Sequence, residues 1–508
     1  MKKNQPQRVS IALVLLVLVL FSFQDAISAP IRTSQKIDFS AVDSYIQSQM
    51  QKHGLRGTSL AITQGDQIIY LQGYGTAGKN QPMTAQTPMY IGSQSKSFAG
   101  LAIAQLIEAG KITPNDPVVK YIPEFRIADA AASQKITINH LLHHISGLSE
   151  AGFTVILPDE STTQDLLIAL QQAELTAPVG EQFQYFNYGY SLLSIVIENV
   201  SGLSYETYLQ ENIFTPLDMK NTFTNPEEAK AHGLSQGYSR FFGFAVPARQ
   251  PHREYDLASG YLISTAEDLA HFSIALLNNG EYLGKQLVPG NRFQMIFQPV
   301  QGYGMGWFIG TDRIYHGGAN ETFRTEMQLF PSKKLGIILL TNQGYMMDHY
   351  ISAPQMINGV KVIVLGNGAP DVSGGWSVRV IGYLLGALVL GLILLSIKNF
   401  RDLATWKTRY QSWSTGKRIW DVAISFIIPT VILVVVLWQV KGFFGTRFNW
   451  TYQMIMMFRS LPDIGALMIV GSVPDYIQGF IKLYWALSRK KSQLLSPQMN
   501  HPFKNSNA

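Results

Sequence analysis

Ser93 and Lys96 stand three residues apart in the stretch YIGSQSKSFAG, where an apolar helical pattern is about to begin. On a helix, positions i and i+3 share one face, so the amine falls beside the hydroxyl. A serine needs a base to become a nucleophile, and a buried lysine that has lost its proton can serve as one. A surface serine beside a surface lysine would have the same spacing. The Ser-x-x-Lys pattern also recurs at Ser414/Lys417 and Ser488/Lys491, so spacing alone does not select this pair. Three further stretches carry polar groups beside regular structure. FQYFNYGYSLL places Tyr185 and Asn187 just before a helix, YHGGAN places His316, Gly317 and Gly318 at a strand edge, and TINHLLHHISGLS lies between Ser93 and Tyr185. Each has a structural alternative: a core aromatic for Tyr185, an N-cap for Asn187, and a polar strand-edge residue for His316. His140, His143 and His144 lack an acidic partner in a pattern such as HExxH, so a structural role is expected and no metal. GYGTAGK is glycine-rich without the spacing of a phosphate loop, and no Gly-x-Ser-x-Gly surrounds Ser93, which disfavours a nucleophile elbow.

Taken together, IGSQSKSF, HLLHHISGL, FNYGYSLL, SGYLISTAEDLAHF, YGMGWFI and HGGAN, in that order, resemble the serine β-lactamase and penicillin-binding-protein superfamily. The resemblance is to its class C side, which also holds D-alanyl-D-alanine carboxypeptidases, D-aminopeptidases and esterases. It covers roughly residues 37–366. It implies Ser93 as the acylated nucleophile, Lys96 as its partner, and Tyr185 and Asn187 in the Tyr-x-Asn box. His316-Gly317-Gly318 then takes the place of the Lys-Thr/Ser-Gly box. Either Lys96 or Tyr185 would take the proton, Asn187 would orient Lys96 and bind a substrate amide, and the oxyanion would lie between the backbone N–H groups of Ser93 and Ala319. The departure is His316. A lysine there is a permanent cation suited to a substrate carboxylate, whereas a histidine near pH 7 is mostly neutral. Penicillins and D-Ala-D-Ala ends should therefore bind less well unless Arg324 substitutes, and esters or amides are the expected substrates. No cofactor is implied.

Positioning such residues calls for an α+β architecture: an antiparallel sheet with helices on both faces and a helical insertion. Phe39, Val42, Ile46 and Met50 recur at helical spacing, and TSLAIT and QIIYLQGYG form a hairpin around Gln64-Gly65-Asp66. Helical patterns follow at 94–109, 138–143, 188–200, 205–213 and 266–277. The late strand-like runs GMGWFIG, FRTEMQLF and LGIILLTN would join the hairpin in one sheet.

The rest of the 508-residue chain organises around this domain. Lys2, Lys3 and Arg8 precede the apolar run Val9 to Phe23 and the small residues of DAISAP, which read as an export signal over residues 1–29. Cleavage would fall after Ser28 or Ala29, and an uncleaved anchor is the alternative. Either way residues 30–365 are expected outside the cytoplasm. There is no cysteine, so disulfides, thiolate–metal sites and cysteine nucleophiles are excluded. The net charge is +6, but residues 30–375 hold 22 Lys+Arg against 29 Asp+Glu, and residues 376–508 hold 15 against 4. The large domain is acidic, so nucleic acid is not an expected partner. Residues 366–375 read as a linker. Val378–Ile397 and Trp420–Val440 are long enough to cross a bilayer, for which about 20 residues suffice. A third segment, from about Pro462 to Leu487, carries Asp463, Asp475, Lys482 and Pro474, and a re-entrant or amphipathic segment is the alternative. Residues 376–490 are thus a membrane region of two or three spans, and 491–508 a cytoplasmic tail. Lys398, Arg401, Lys407, Arg409, Lys417 and Arg418 after the first span fit a cytoplasmic loop. The expected partners are a small-molecule or peptide substrate and the lipid bilayer. The competing function classes are a non-catalytic receptor or binding module on the same fold, and a membrane part that grips a partner protein.

Overall fold

The computed structural model describes residues 37–288, 293–368, 370–371, 377–444, 454, 458 and 461–494. The expected export signal, much of the linker and the end of the tail lie outside these residues. The chain forms two compact units, one within 26–384 and 444–462, the other drawing on 385–443 and the segment from 463 onward.

The first unit is built on a seven-stranded antiparallel sheet. Helix α1 (Phe39–His53) leads into strands β1 (Gly57–Gln64), β2 (Gln67–Gly78) and β3 (Gln81–Pro82). Next come α2 (Ser95–Glu108), α3 (Ile138–Leu142), α4 (Thr163–Leu170) and α5 (Asn187–Ser201). A hairpin of β4 (Tyr238–Phe241) and β5 (Phe244–Pro247) follows, then α6 (Ala266–Leu277). The chain returns through β6 (Phe308–Ile309), β7 (Ile314–Ala319), β8 (Arg324–Phe330) and β9 (Leu335–Thr341), and closes with α7 (Ala353–Val364). The strand order is β6-β7-β8-β9-β1-β2-β3, so the first hairpin and the late strands do share one sheet.

Alternation along the central strands decides which residues face which layer. Leu60, Ile62, Ile337 and Leu339 pack with Val42, Ile46, Met356 and Val360 of α1 and α7. Ala61, Ile338 and Leu340 point the other way, into the larger core shared with Phe272 of α6 and the helical region. The register Leu60↔Leu339 and Ile62↔Ile337 keeps both sets aligned. A one-residue slip would turn each set to the wrong face. Helix α2 is buried on nearly every side, as its apolar composition requires of a central helix.

Two sequence expectations are shortened. Of GMGWFIG, only Phe308 and Ile309 form a strand, because Gly306 takes φ +85° and the preceding residues turn against α2. The helix from Tyr205 ends at Leu209 and widens into a looser turn over Gln210–Phe214.

The second unit holds long helices. Among the described residues three helices are long and apolar enough to cross a membrane: α8 (Val378–Gln411), α9 (Thr415–Phe444), over Thr415–Trp438, and α10 (Pro462–Leu494), over Pro462–Ser488. The third segment is a continuous helix through Pro474. Lys482 within it pairs with Asp421 of α9 at 2.9 Å, and Trp406 Nε1 donates to the same carboxylate at 2.8 Å.

Candidate active site

Gly92 to Gln94 form a tight turn, and α2 starts one residue later, so Ser93 stands at the mouth of a helix whose N–H groups face it. Ser93 is half-buried, while Lys96, one turn on, is fully buried. Its Nζ lies 3.2 Å from Ser93 Oγ and also donates to Asn187 Oδ1 at 2.8 Å and to the Ser259 carbonyl at 2.6 Å. Burial brings the lysine down to about 7, although the nearby Asp256 and Glu150 pull it upward. At neutral pH a substantial share of Lys96 is therefore the free amine, with its lone pair beside a serine hydroxyl.

Asn187 opens α5, and Phe186 rather than Asn187 occupies the cap position. The asparagine side chain bridges inward. Its Nδ2 donates to Glu150 Oε1 at 3.1 Å, and its backbone N–H donates to the same oxygen at 3.2 Å. With the amide nitrogen held by Glu150, the amide oxygen must face Lys96. Glu150 is buried, and burial raises its carboxyl to about 7. Asp256 is buried as well. It accepts from Ser191 at 2.7 Å and from Ser259, the residue whose carbonyl receives Lys96. Burial raises the Asp256 carboxyl too.

Tyr185 is half-buried, with Lys96 Nζ 4.8 Å from its ring centre. His144 sets that ring. The two ring centres lie 4.3 Å apart, and His144 Nδ1 accepts the backbone N–H of Phe186 at 3.2 Å. His144 takes φ +56°, an uncommon conformation for a non-glycine residue, and is 1% exposed. His140 completes a capping box with Thr137 at the start of α3, and His143 bonds the Asn139 carbonyl. Among the described residues no cluster of His, Asp and Glu could hold a metal ion.

Strand β7 brings the fourth element. His316 is buried 6.4 Å from the Tyr185 ring, and both of its nitrogens are engaged. Nδ1 lies 2.7 Å from the Gly317 carbonyl and so carries the proton, which leaves Nε2 to accept the Tyr303 hydroxyl at 3.0 Å. Burial pushes His316 down to about 3, with Lys96 adding to the effect. The imidazole is neutral and turns no free N–H outward. Arg324 does not replace the missing cation. It is buried, and its two terminal nitrogens are spent on the carbonyls of Asn320, Phe323 and Gly344.

Gly318 and Ala319 end β7 directly against the Ser93 turn. A Cβ on Gly318 would lie 2.8 Å from the carbonyl carbon of Ile91, and one on Gly92 would lie 2.7 Å from the carbonyl carbon of Gly318. Only two glycines allow backbones so close. The exposed Ala319 is thereby placed at the mouth beside Ser93. The structure thus gathers Ser93, Lys96, Tyr185, Asn187, His316, Gly318 and Ala319 around one opening. Sequence reasoning did not single out Glu150, Asp256, Ser259 or Tyr303. Tyr303 begins the YGMGWFI stretch and Ser259 begins SGYLISTAEDLAHF, but Glu150 and Asp256 lie outside the stretches that carry the resemblance.

A family model described as Beta-lactamase matches residues 42–361. The chain is 29% identical over 311 residues to Protein flp of Staphylococcus aureus strain MW2, covering 59% of this chain and 62% of that one. Protein flp of strain MRSA252 is 30% identical over 315 residues with the same coverage. The Beta-lactamase of Escherichia coli strain K12 is 27% identical over 339 residues, covering 58% of this chain and 86% of that one. The solved octameric penicillin-binding protein homologue from Pyrococcus abyssi superposes with a TM-score of 0.58 at 26% identity, covering 65% of this chain and 78% of that chain. The matched stretch therefore spans under two thirds of the flp relatives.

Proposed function

The chain belongs to the beta-lactamase family, and from that premise we propose a membrane-anchored serine hydrolase that works outside the cytoplasm through an acyl-serine intermediate. The observation that carries this is the 3.2 Å contact between the Ser93 hydroxyl and a fully buried Lys96 amine. In the proposed reaction Ser93 Oγ bonds to the carbonyl carbon of an ester or amide as its proton passes to Lys96 Nζ. The oxyanion rests between the N–H groups of Ser93 and Ala319. Collapse expels the leaving group, which takes the proton from Lys96. Water then attacks the acyl-serine by the same proton route and restores the hydroxyl. Asn187, held by Glu150, fixes the amine; Tyr185 lies over it and can share the proton transfer.

Substrate class follows from charge. With His316 neutral and Arg324 committed, neither supplies a cation for a free carboxylate, which supports esters and amides over penicillins. The cell wall supplies such groups in that location, as stem peptides and as D-amino-acid esters on wall polymers. Residues 1–29 would serve as export signal, 30–365 as the exported domain, and α8, α9 and α10 as the anchor. A fluorophosphonate probe tests the proposal: label on the full chain that disappears in Ser93→Ala supports a hydrolase. A folded protein left unlabelled under all conditions indicates a binding module.

A further inference from the structure

The β4–β5 hairpin departs from the usual rules for a surface turn. Phe241, Phe244 and Val246 are 45%, 62% and 37% exposed. The turn residues Phe242 and Gly243 have φ +48° and +81°, as a type I′ turn requires. Asparagine normally stands where Phe242 does, because a bulky side chain is strained at positive φ. Such departures persist where the surroundings enforce them, and they cluster at functional sites. The base of the hairpin is rigid: Arg240 Nε and Nη2 reach the two oxygens of Asp348 at 2.8 and 3.0 Å, both side chains being 1% exposed. The aromatic tip is held outward by a fixed mount.

The tip lies against the first turns of α8. A Cβ on Gly243 would stand 2.5 Å from the Arg379 carbonyl oxygen and 2.8 Å from Tyr383 Cδ1. The rings of Phe244 and Tyr383 are 5.1 Å apart. Arg379 is exposed and donates to the Tyr383 hydroxyl at 2.7 Å. Tyr383 is five residues into α8, about 7.5 Å along it. An arginine and a tyrosine at the start of an apolar span mark the layer between water and hydrocarbon. Aromatic residues at that level meet headgroups and the first methylenes.

We propose that the β4–β5 tip, through Phe241, Phe244 and Val246, inserts into the interfacial layer of the bilayer leaflet from which α8 starts. The exported unit then touches the membrane at this tip as well as through α8. The inference rests on α8 crossing the bilayer.

The absence of cysteine makes a single-cysteine test clean. Phe244→Cys, Val246→Cys, Leu283→Cys and Leu390→Cys, each in the full chain, are labelled with a nitrobenzoxadiazole fluorophore and reconstituted into phosphatidylcholine–phosphatidylglycerol vesicles. Leu283 is 78% exposed on another hairpin, and Leu390 is 57% exposed within α8. Labels at 244 and 246 are expected to be quenched at least twofold by a shallow doxyl lipid and shielded from iodide, while 283 shows the reverse. If 244 and 246 behave like 283, the proposal is overturned. Shielding from iodide without quenching by doxyl lipid also overturns it, because the tip is then covered by protein. Position 390 separates the two claims. Deep-lipid quenching there with a water-exposed 244 removes only the tip contact; no quenching at 390 removes the anchor and the tip together.

Discussion

Gly318→Ala gives the sharpest stereochemical test of the oxyanion site. The added methyl would run first into the Ile91 carbonyl oxygen, with the Ile91 carbonyl carbon at 2.8 Å and the Gly92 carbonyl carbon at 3.3 Å. Ordinary contacts of a carbon lie at about 3.5–4.0 Å, so β7 and the Ser93 turn must part by at least about 1 Å. The opposing atoms are backbone on both sides, so no side chain can swing away. An oxyanion donor works only within about 2.7–3.1 Å of the developing charge, and a 1 Å shift carries the Ala319 N–H out of that range. Loss of one such donor costs roughly 10²–10³ in kcat, about 2.7–4 kcal/mol. Gly317→Ala is the control: its methyl would first meet Glu326 Oε1 at 3.0 Å, the end of a side chain that can rotate. The assay is steady-state hydrolysis of p-nitrophenyl esters, with Tm measured alongside. The expected result is a hundredfold or greater fall in kcat for Gly318→Ala and less than about fivefold for Gly317→Ala. A folded Gly318→Ala enzyme with kcat within about threefold of wild type would refute the placement of the oxyanion at Ala319.

Three more outcomes are expected. With Lys96 brought down to about 7, Ser93 acylation should rise with pH and reach half its plateau near pH 7, since the protonated amine below that value cannot accept the serine proton; a rate flat from pH 5 to 9 would contradict this. Glu150→Leu removes the acceptor for two Asn187 N–H groups and frees the amide to rotate, so kcat should fall by about tenfold or more, and Glu150→Gln, which keeps an oxygen there, should recover most of it. Equal loss in both variants would separate Glu150 from the orientation of Asn187. His316→Lys restores a cation, and a charge-assisted hydrogen bond worth about 1.5–3 kcal/mol should raise nitrocefin acylation roughly ten- to a hundredfold relative to ester hydrolysis; an unchanged ratio would show that the carboxylate is not read at this position.

The sequence carried the sheet and the Ser93–Lys96 contact well, for definite reasons. Leu60, Ile62, Ile337 and Leu339 alternate with residues of the other face, and that period-2 pattern is the strand itself. Ser93 and Lys96 are three apart on one helix end, so their contact is local and legible. Glu150 was not legible because it meets Asn187 across 37 positions, from a loop with no periodicity. Ser259 opens SGYLISTAEDLAHF, but that its carbonyl receives Lys96 from 163 residues away is a long-range contact no local pattern shows. His144 shows the limit differently: its place in HLLHHISGL suggested structure, but its hold on Tyr185 depends on a positive φ that no propensity rule predicts for histidine. GMGWFIG read as a strand by composition, yet Gly306 turns it, because tertiary packing against α2 overrides local preference. The neutrality of His316 was expected from its chemistry alone, and burial strengthens it.

Intact mass spectrometry of the full chain after a brief exposure to a slowly hydrolysed ester or a fluorophosphonate addresses the central claim most directly. One covalent adduct is expected, mapped by peptide sequencing to Ser93, absent in Ser93→Ala and strongly slowed in Lys96→Met. An adduct on any other residue, or equal labelling of the Lys96→Met protein, would contradict it.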